Sequence, residues 1–272
     1  MMRDPVAAVP EAEATGQTAA IFADIRAVYG VGVVNLVWRH LATLPDALPW
    51  VWDCVRPAYV SGAVASAAAS YRAAAALPVA PRLALADKLA AGLDASAQAG
   101  IGAVLAGYDR TNAMALVALS AVMARLQGEP AGARAPAGSP APVDAVPLPP
   151  LPALEDMAPA IAELIHRLNR LGTAEPAPLL ASMYRHLSYW PGYLALAWDQ
   201  LAPLDADGRL ASAIAAAGAL GRQQAASLLG WMPETPPPQD AMVLHAAIAQ
   251  FVQGPIDRMV VNCAVLRRAW QG

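Results

Sequence analysis

The chain has 272 residues, enough for one large domain or two small ones with a core that needs no disulfide or metal. Hydrophobic residues make up 57% of the chain, but much of that share is alanine, which favours helix and buries little area. Charged residues are sparse at 14%, the net charge is −3 and no basic face is evident, so we expect no nucleic-acid partner.

The apolar pattern predicts helices along the whole chain. Ile21, Ile25 and Val28 fall at i, i+4 and i+7, which is typical of an amphipathic helix. Pro57 is expected to kink or break the helix in which it lies. No stretch alternates with period 2, so the predicted fold is all-α. The expected helices cover 16–29, 33–44, 48–60, 63–76, 83–93, 97–106, 113–126, 157–171, 178–187, 192–201, 211–229, 242–252 and 256–270.

The cysteines and the most apolar windows of the sequence indicate the cellular compartment in which the protein is expected. Cys54 and Cys263 are far apart and share no metal-ligand spacing, so we expect reduced, buried thiols in a cytoplasmic protein with no metal and no cofactor. The N-terminus has no apolar signal region. The most apolar window, 58–79, contains Arg72 and is rich in Ala and Ser, so it predicts a core helix and not a membrane span.

One segment occurs twice, and a single shift of 146 residues relates its two copies. The identities in register are Arg39, His40, Leu41, Pro45, Leu48, Trp52, Asp53 and Pro57 with Arg185, His186, Leu187, Pro191, Leu194, Trp198, Asp199 and Pro203. Near the C-terminal end of each copy, 120–123 matches 263–266 at a shift of 143. The sequence therefore predicts an internal pseudo-dimer of two helical repeats.

The segment 128–152 separates the two repeats, which we place at 1–127 and 153–272. It is thick with Pro, Gly and Ala, a composition that favours an extended polyproline-like linker. We interpret it as a plain spacer in preference to a ligand for a partner's SH3-like domain.

The residues alone give no decisive catalytic motif. Gly-rich phosphate loops, a nucleophile elbow and the zinc motif HExxH are all absent from the sequence. His40 and His186 are repeat-related, which favours a structural role, because one asymmetric site needs only one copy. Asn112 lies where the other repeat has Pro255. On local pattern it is a helix N-cap, although its amide could instead orient a water or a substrate carboxylate.

Short blocks that follow one another in a characteristic order are Asp24-Ile25-Arg26, Arg39 with Leu41-Ala42-Thr43-Leu44-Pro45, Pro49 with Trp52, Asn112 with Leu119-Ser120-Ala121, Pro147 with Pro149, Ser182, and Trp190-Pro191 with Asp199 and Leu201-Ala202-Pro203. In these blocks the sequence resembles the group I 2-haloacid dehalogenases, and the resemblance covers most of its length. A broader resemblance to the AhpD-like helical fold carries no redox implication, because CxxC is absent.

The dehalogenase resemblance implies a site between the repeats, hydrolysis of 2-haloacids by a water that a carboxylate activates, no covalent ester, and assembly into a homodimer. It places the water-holding Asn of the family at Asn112. It places the family's catalytic Asp at Met183, after Ser182 and eight residues before Pro191. A thioether cannot take a proton from water. Asp109, three residues before Asn112, is the alternative carboxylate.

The sequence thus predicts a dehalogenase-like protein with a remodelled pocket for a small carboxylic acid, in which the standard base is missing and enzyme activity is left open. The alternative is a non-catalytic helical binding or scaffold protein that has kept the fold. Two aromatic wall positions of the family are replaced, at Val33 and Leu36. The candidate pocket residues are Val33, Leu36, Tyr108, Ser182, Met183 and Phe251.

Overall fold

The computed structural model describes residues 6–134, 136–139 and 148–271, and this part of the chain is all-α, as predicted, with no strand. The composition and the 3.6-residue apolar periodicity account for this result. The helices are α1 (Gly16–Tyr29), α2 (Leu36–Leu41), α3 (Ala47–Val60), α4 (Ala63–Ala74), α5 (Leu85–Ala90), α6 (Ala95–Leu126), α7 (Pro159–Arg170), α8 (Ser182–Leu187), α9 (Pro191–Ala206), α10 (Arg209–Ala225), α11 (Ala241–Phe251) and α12 (Asp257–Gln271).

The central element is α6, a 32-residue helix that packs against α4, α10 and α12. The prediction of two helices with a break at 107–112 is wrong, because the helix runs through that stretch. Two polar side chains of that stretch are satisfied with the helix intact: Thr111 Oγ1 donates to the Gly107 carbonyl at 2.9 Å, and Asp109 pairs with Arg72 and Arg267 from neighbouring helices. Asn112 is therefore an interior helix residue and not an N-cap.

An aromatic cluster fixes the N-terminal helices. Trp38 and Trp52 meet edge to face with ring centroids 5.5 Å apart, and both lie within contact distance of Tyr29. Trp52 Nε1 also donates to Asp24 at 2.7 Å. Such buried rings contribute large apolar areas and directional contacts. The cluster holds α1, α2 and α3 together and so sets the position of the loop 31–35 between α1 and α2.

Helix starts recur at the shift that the sequence shows. Helices α2, α4 and α6 begin at 36, 63 and 95, and helices α8, α10 and α11 begin 146 residues later, at 182, 209 and 241. Helix α3 runs on through Pro57 without a break, and α9 runs on through Pro203. The internal pseudo-dimer stays a prediction that these bounds support.

The described parts of the predicted linker form no helix, and they are not a plain spacer. The Gly138 N–H donates to the Ser61 carbonyl, and the Pro152 carbonyl accepts from the Arg185 guanidinium at 2.7 Å. The Pro150 carbonyl accepts from the Tyr189 hydroxyl at 2.9 Å. Residues 135 and 140–147, which include Pro147, lie outside the described residues. A proline has a backbone carbonyl that accepts hydrogen bonds strongly and no backbone N–H that needs an acceptor. The segment can therefore dock on α8 and the turn after it through its carbonyls alone.

Within the described chain, no helix has the length and apolar character needed to cross a membrane.

Candidate functional site

A cavity of about 410 Å³ lies where the two halves of the chain meet. Its walls come from the N-terminal segment, the α1–α2 loop, one face of α6, the docked linker, the start of α8 and the junction of α11 with α12. Seven of the eight predicted site residues line this cavity, and they are Val33, Leu36, Tyr108, Asn112, Ser182, Met183 and Phe251. Their roles in binding or catalysis stay predictions.

Asp109, the eighth, does not line it. Its Oδ2 lies 3.1 Å from Arg72 Nη1 and 2.9 Å from Arg267 Nη1, on a different face of α6, beside a second and smaller cavity. Helical geometry accounts for this, since at about 100° per residue the lining residues of α6 span about 140° from Gly107 to Asn112, and Asp109 lies about 60° beyond Asn112. Asp109 therefore lies away from the cavity that the other seven residues line, and its role as a substitute base stays a prediction that this position does not favour.

Four residues of α6 form one wall of the cavity. Gly107, Tyr108, Thr111 and Asn112 are spaced i, i+1, i+4 and i+5, so they share one helix face. Asn112 is only 7% exposed, and its amide nitrogen Nδ2 has no hydrogen-bond partner among the described residues. A buried donor without a partner carries a desolvation cost of about 1–3 kcal/mol, which a bound acceptor would relieve.

Tyr108 is linked across the cavity wall to α8. Its hydroxyl lies 2.6 Å from His186 Nδ1, and His186 Nε2 lies 3.0 Å from the Pro149 carbonyl oxygen. A carbonyl can only accept, so Nε2 carries the proton, Nδ1 accepts and the Tyr108 hydroxyl donates. Ser182 is close enough to Tyr108 to lower the pKa of its hydroxyl against the larger effect of burial. The result is a one-way chain of hydrogen bonds from Tyr108 through His186 to Pro149.

This chain is electrically neutral near pH 7. Burial lowers the pKa of His186 to about 4, and the nearby Arg185 lowers it further against the opposing bond to Pro149. Burial also raises the pKa of Tyr108 well above its ordinary value. A histidine with so low a pKa is a weak base, so the pair orients neighbouring groups and does not withdraw protons from water.

Apolar side chains also line the cavity, and three of them stand at the sequence shifts of the duplicated segments from polar lining residues. Phe251 stands 143 positions after Tyr108, Pro255 stands 143 after Asn112, and Leu36 stands 146 before Ser182. At each of these pairs one member has hydrogen-bonding capacity in its side chain and the other has none. The cavity is therefore amphipathic, with a polar wall from α6 and α8 and an apolar wall that includes Leu36, Phe251 and Pro255.

Met183 completes the floor of the cavity and is fully buried. Its thioether is a weak acceptor and has no proton to exchange, so position 183 contributes apolar contact here. Phe251 directly precedes a π-helical turn, Val252–Ile256, which contains Pro255 and joins α11 to α12.

Asn169 on α7 positions the segment before α8, a role that no sequence pattern indicates. Its side-chain amide donates to the Pro178 and Leu179 carbonyls at 3.1 and 3.2 Å, and its Oδ1 accepts from the Ala181 N–H at 3.1 Å. A buried amide that satisfies three backbone groups fixes the chain in one conformation. Residues 179–181 line the cavity for that reason.

Two charged residues that sequence reasoning missed also line the cavity. Glu11 is the one carboxylate among the described lining residues, and its side chain is 30% exposed. It accepts from the Val34 N–H at 2.8 Å and pairs with Arg26 at 2.5 Å. Arg39 lines the same cavity from α2 and is 9% exposed. Glu11 lies in an acidic, Pro-interrupted segment without periodicity, so no pattern linked it to a site.

No cluster of three or more His, Cys, Asp or Glu side chains suited to a metal ion occurs in the ranges that the structure describes.

The fold is that of the D-2-haloacid dehalogenases. Similar solved structures include a D-2-haloacid dehalogenase mutant (TM-score 0.77, 18% identity). A D-2-haloacid dehalogenase in complex with L-LA has a TM-score of 0.78 at 17% identity. A mutant in complex with D-2-CPA has a TM-score of 0.74 at 16% identity. Each alignment covers 99% of this chain and 96% of the other. No protein-family model matches the sequence, and no curated protein matches it significantly.

Proposed function

We propose that the cavity binds a small carboxylic acid with a short apolar substituent. The observation that carries this proposal is the Asn112 amide, a buried donor without a partner among the described residues, set where the polar wall meets the apolar one. A carboxyl oxygen would accept from Asn112 Nδ2, while the substituent packs against Phe251 and Leu36. Arg39 adds positive charge to the wall and lowers the cost of bringing an anion into it.

The polar chain gives the ligand a defined orientation. Because Tyr108 donates to His186 and His186 donates to the Pro149 carbonyl, this part of the wall offers fixed dipoles and carries no charge. A neutral, prearranged wall favours binding over proton transfer. We infer that the protein is dehalogenase-like in fold and pocket position, with binding as its principal activity.

Hydrolysis of a haloacid at this site would need a base that position 183 does not supply. In that reaction a water oxygen bonds to the carbon that bears the halogen, the halide leaves with the bonding electron pair, and a base takes one water proton. Met183 cannot take the proton and His186 is a weak base, which leaves Glu11 as the hydrolytic candidate. Glu11 is engaged by Arg26 and Val34, so we place hydrolysis second.

A non-catalytic helical scaffold without a small ligand is the alternative from another class. It predicts no saturable binding of carboxylic acids in the cavity.

We further propose that the chain is an internal pseudo-dimer with a pseudo-twofold axis through this cavity. The paired positions 108 and 251, 112 and 255, and 36 and 182 support that arrangement. Assembly into a homodimer is a proposal that sedimentation would test.

Titration calorimetry tests the binding proposal. We expect 2-chloropropionate and propionate to bind, and propionamide, which has no carboxylate, to bind more weakly. Asn112→Leu should weaken binding about tenfold, equal to about 1.4 kcal/mol, because one hydrogen bond to the carboxyl is lost. Ser120→Ala is the matched control, since Ser120 is a buried polar residue of the same helix that does not line the cavity. Absence of saturable binding in the wild type would support the scaffold alternative.

A halide-release assay separates binding from hydrolysis. We expect no release from 2-chloropropionate by the wild type and measurable release by Met183→Asp, which restores a carboxylate at that position. Release by the wild type that Glu11→Gln abolishes would instead establish the hydrolytic candidate.

A further inference from the structure

A second cavity of about 200 Å³ lies beside α4 and α12, near Asp109 and away from the amphipathic cavity. Three arginines line it, namely Arg72 from α4 and Arg267 and Arg268 from α12, against one lining carboxylate, Asp109. The lining residues therefore carry a net charge of +2, counted as three positive charges and one negative charge.

Neighbouring charges do not cancel this excess. Asp257 at the start of α12 is near enough to act on Tyr71, but it lies 3.7 Å from Arg222 on α10, which balances it. Helix α4 contributes Arg72 and no acidic residue. Positive charge thus accumulates at the mouth of this cavity while the apolar remainder of α4 packs inward.

Three donors at the cavity have no partner among the described residues. They are the Nε atoms of Arg72 and Arg267 and the hydroxyl of Tyr71. Asp109 does not satisfy them: its Oδ2 accepts from the Nη1 atoms of both arginines, and none of the three donors is bonded to it. Tyr71 is only 1% exposed, so its hydroxyl is also cut off from bulk water. Buried polar groups are normally hydrogen-bonded, so three unsatisfied donors at one cavity indicate a missing acceptor.

We propose that this cavity is a binding site for a small oxyanion, such as phosphate, sulfate or a carboxylate. Guanidinium groups present planar, charged donors that match such oxygens, and a tyrosine hydroxyl supplies a neutral donor beside them. The acceptor that the three donors lack is then an oxygen of the bound anion. Asp109 holds Arg72 and Arg267 in place, which makes it a positioning residue for this site.

The site is independent of the amphipathic cavity, and its test does not rest on carboxylic-acid binding there. Titration calorimetry with sodium phosphate, sodium sulfate and sodium acetate, at physiological ionic strength held with sodium chloride, measures the affinity directly. Tyr71→Phe and Arg268→Gln should each weaken binding on the order of tenfold, because each removes one donor to a charged acceptor. Arg209→Gln is the control, since it makes the same change in net charge on an exposed arginine outside this cavity.

Thermal unfolding tests whether the variants are folded. In buffer without these anions, Tyr71→Phe should unfold at the same or a higher temperature than the wild type, because it removes a hydroxyl that has no partner. Added phosphate should raise the unfolding temperature of the wild type more than that of either variant. Binding of acetate alone that both variants weaken would assign the site to carboxylates, and binding of all three anions that both variants weaken would assign it to oxyanions in general. No binding of any of them, or an equal loss in Arg209→Gln, would overturn the proposal.

Discussion

Replacing Asp109 with asparagine separates a structural carboxylate from a catalytic one. The side chain of Asp109 is 5% exposed and bridges α4 to α12 through Arg72 and Arg267, whose side chains are 36% and 35% exposed. Breaking a fully buried ion pair costs about 3–5 kcal/mol. Both arginines reach solvent, which screens the loss, so we expect about 2 kcal/mol from Asp109→Asn. Urea unfolding at pH 7 measures that difference in the free energy of unfolding.

The same variant should keep the affinity of the amphipathic cavity for 2-chloropropionate within about twofold, because Asp109 does not line it. Asp207→Asn, which removes an exposed partner of Arg209, is the control and should change stability far less. An Asp109→Asn protein that unfolds like the wild type but loses ligand binding would refute the assignment of Asp109 as a structural and positioning residue.

Three further predictions concern buried polar groups. Tyr108→Phe leaves His186 Nδ1 without its donor and should destabilise the fold by about 1–3 kcal/mol in urea unfolding, whereas an unchanged midpoint would contradict the 2.6 Å bond. Burial lowers the pKa of folded His186 from 6.5 to about 4, so wild-type stability should fall as pH drops through that window, and His186→Gln should remove this component of the profile. Burial raises the pKa of folded Asp257 from 3.8 to about 6, so this group loses up to about 3 kcal/mol of stability as pH rises between those values. Asp257→Asn should abolish that loss, and parallel stability curves would refute it.

Local pattern was enough to place most helices, because each has a periodic apolar face or ends at a clear signal. The first helix was predicted at 16–29 and is observed at Gly16–Tyr29, where Gly30 ends it in a left-handed conformation with φ of 66°. Helix α4 begins at Ala63 as expected and ends two residues early, at Ala74. The duplicated segment also indicated α8. Of the helix predicted at 178–187, only the last six residues, Ser182–Leu187, are helical.

The predictions that missed a feature share one physical cause. In each case the polar groups concerned are hydrogen-bonded or ion-paired to residues far away in the sequence. Helix α6 continues through Asp109 because arginines 37 residues before it and 158 residues after it neutralise that side chain, and no local window contains them. The docked linker depends on donors that lie 33 to 39 residues away, namely Arg185 of α8 and Tyr189 just after it. Glu11 enters the cavity wall through a bond to Val34, 23 residues on.

Some residues of the candidate site are likewise predictable from the sequence and others are not. Asn112 and Met183 were reached by counting along a family pattern, and the structure places both at one cavity. The hydrogen-bond chain through Tyr108 and His186 was not foreseen, because a duplicated histidine was interpreted as framework. His186 has two roles. It is a framework residue that is packed and fully hydrogen-bonded, and it also orients the polar wall.

Calorimetric titration of the wild-type protein and of Asn112→Leu with 2-chloropropionate, followed by halide measurement on the same samples, tests the central claim most directly. The account predicts saturable binding by the wild type, about tenfold weaker binding by the variant, and no free halide from either. Equal affinity in both proteins, or steady halide release by the wild type, would contradict it.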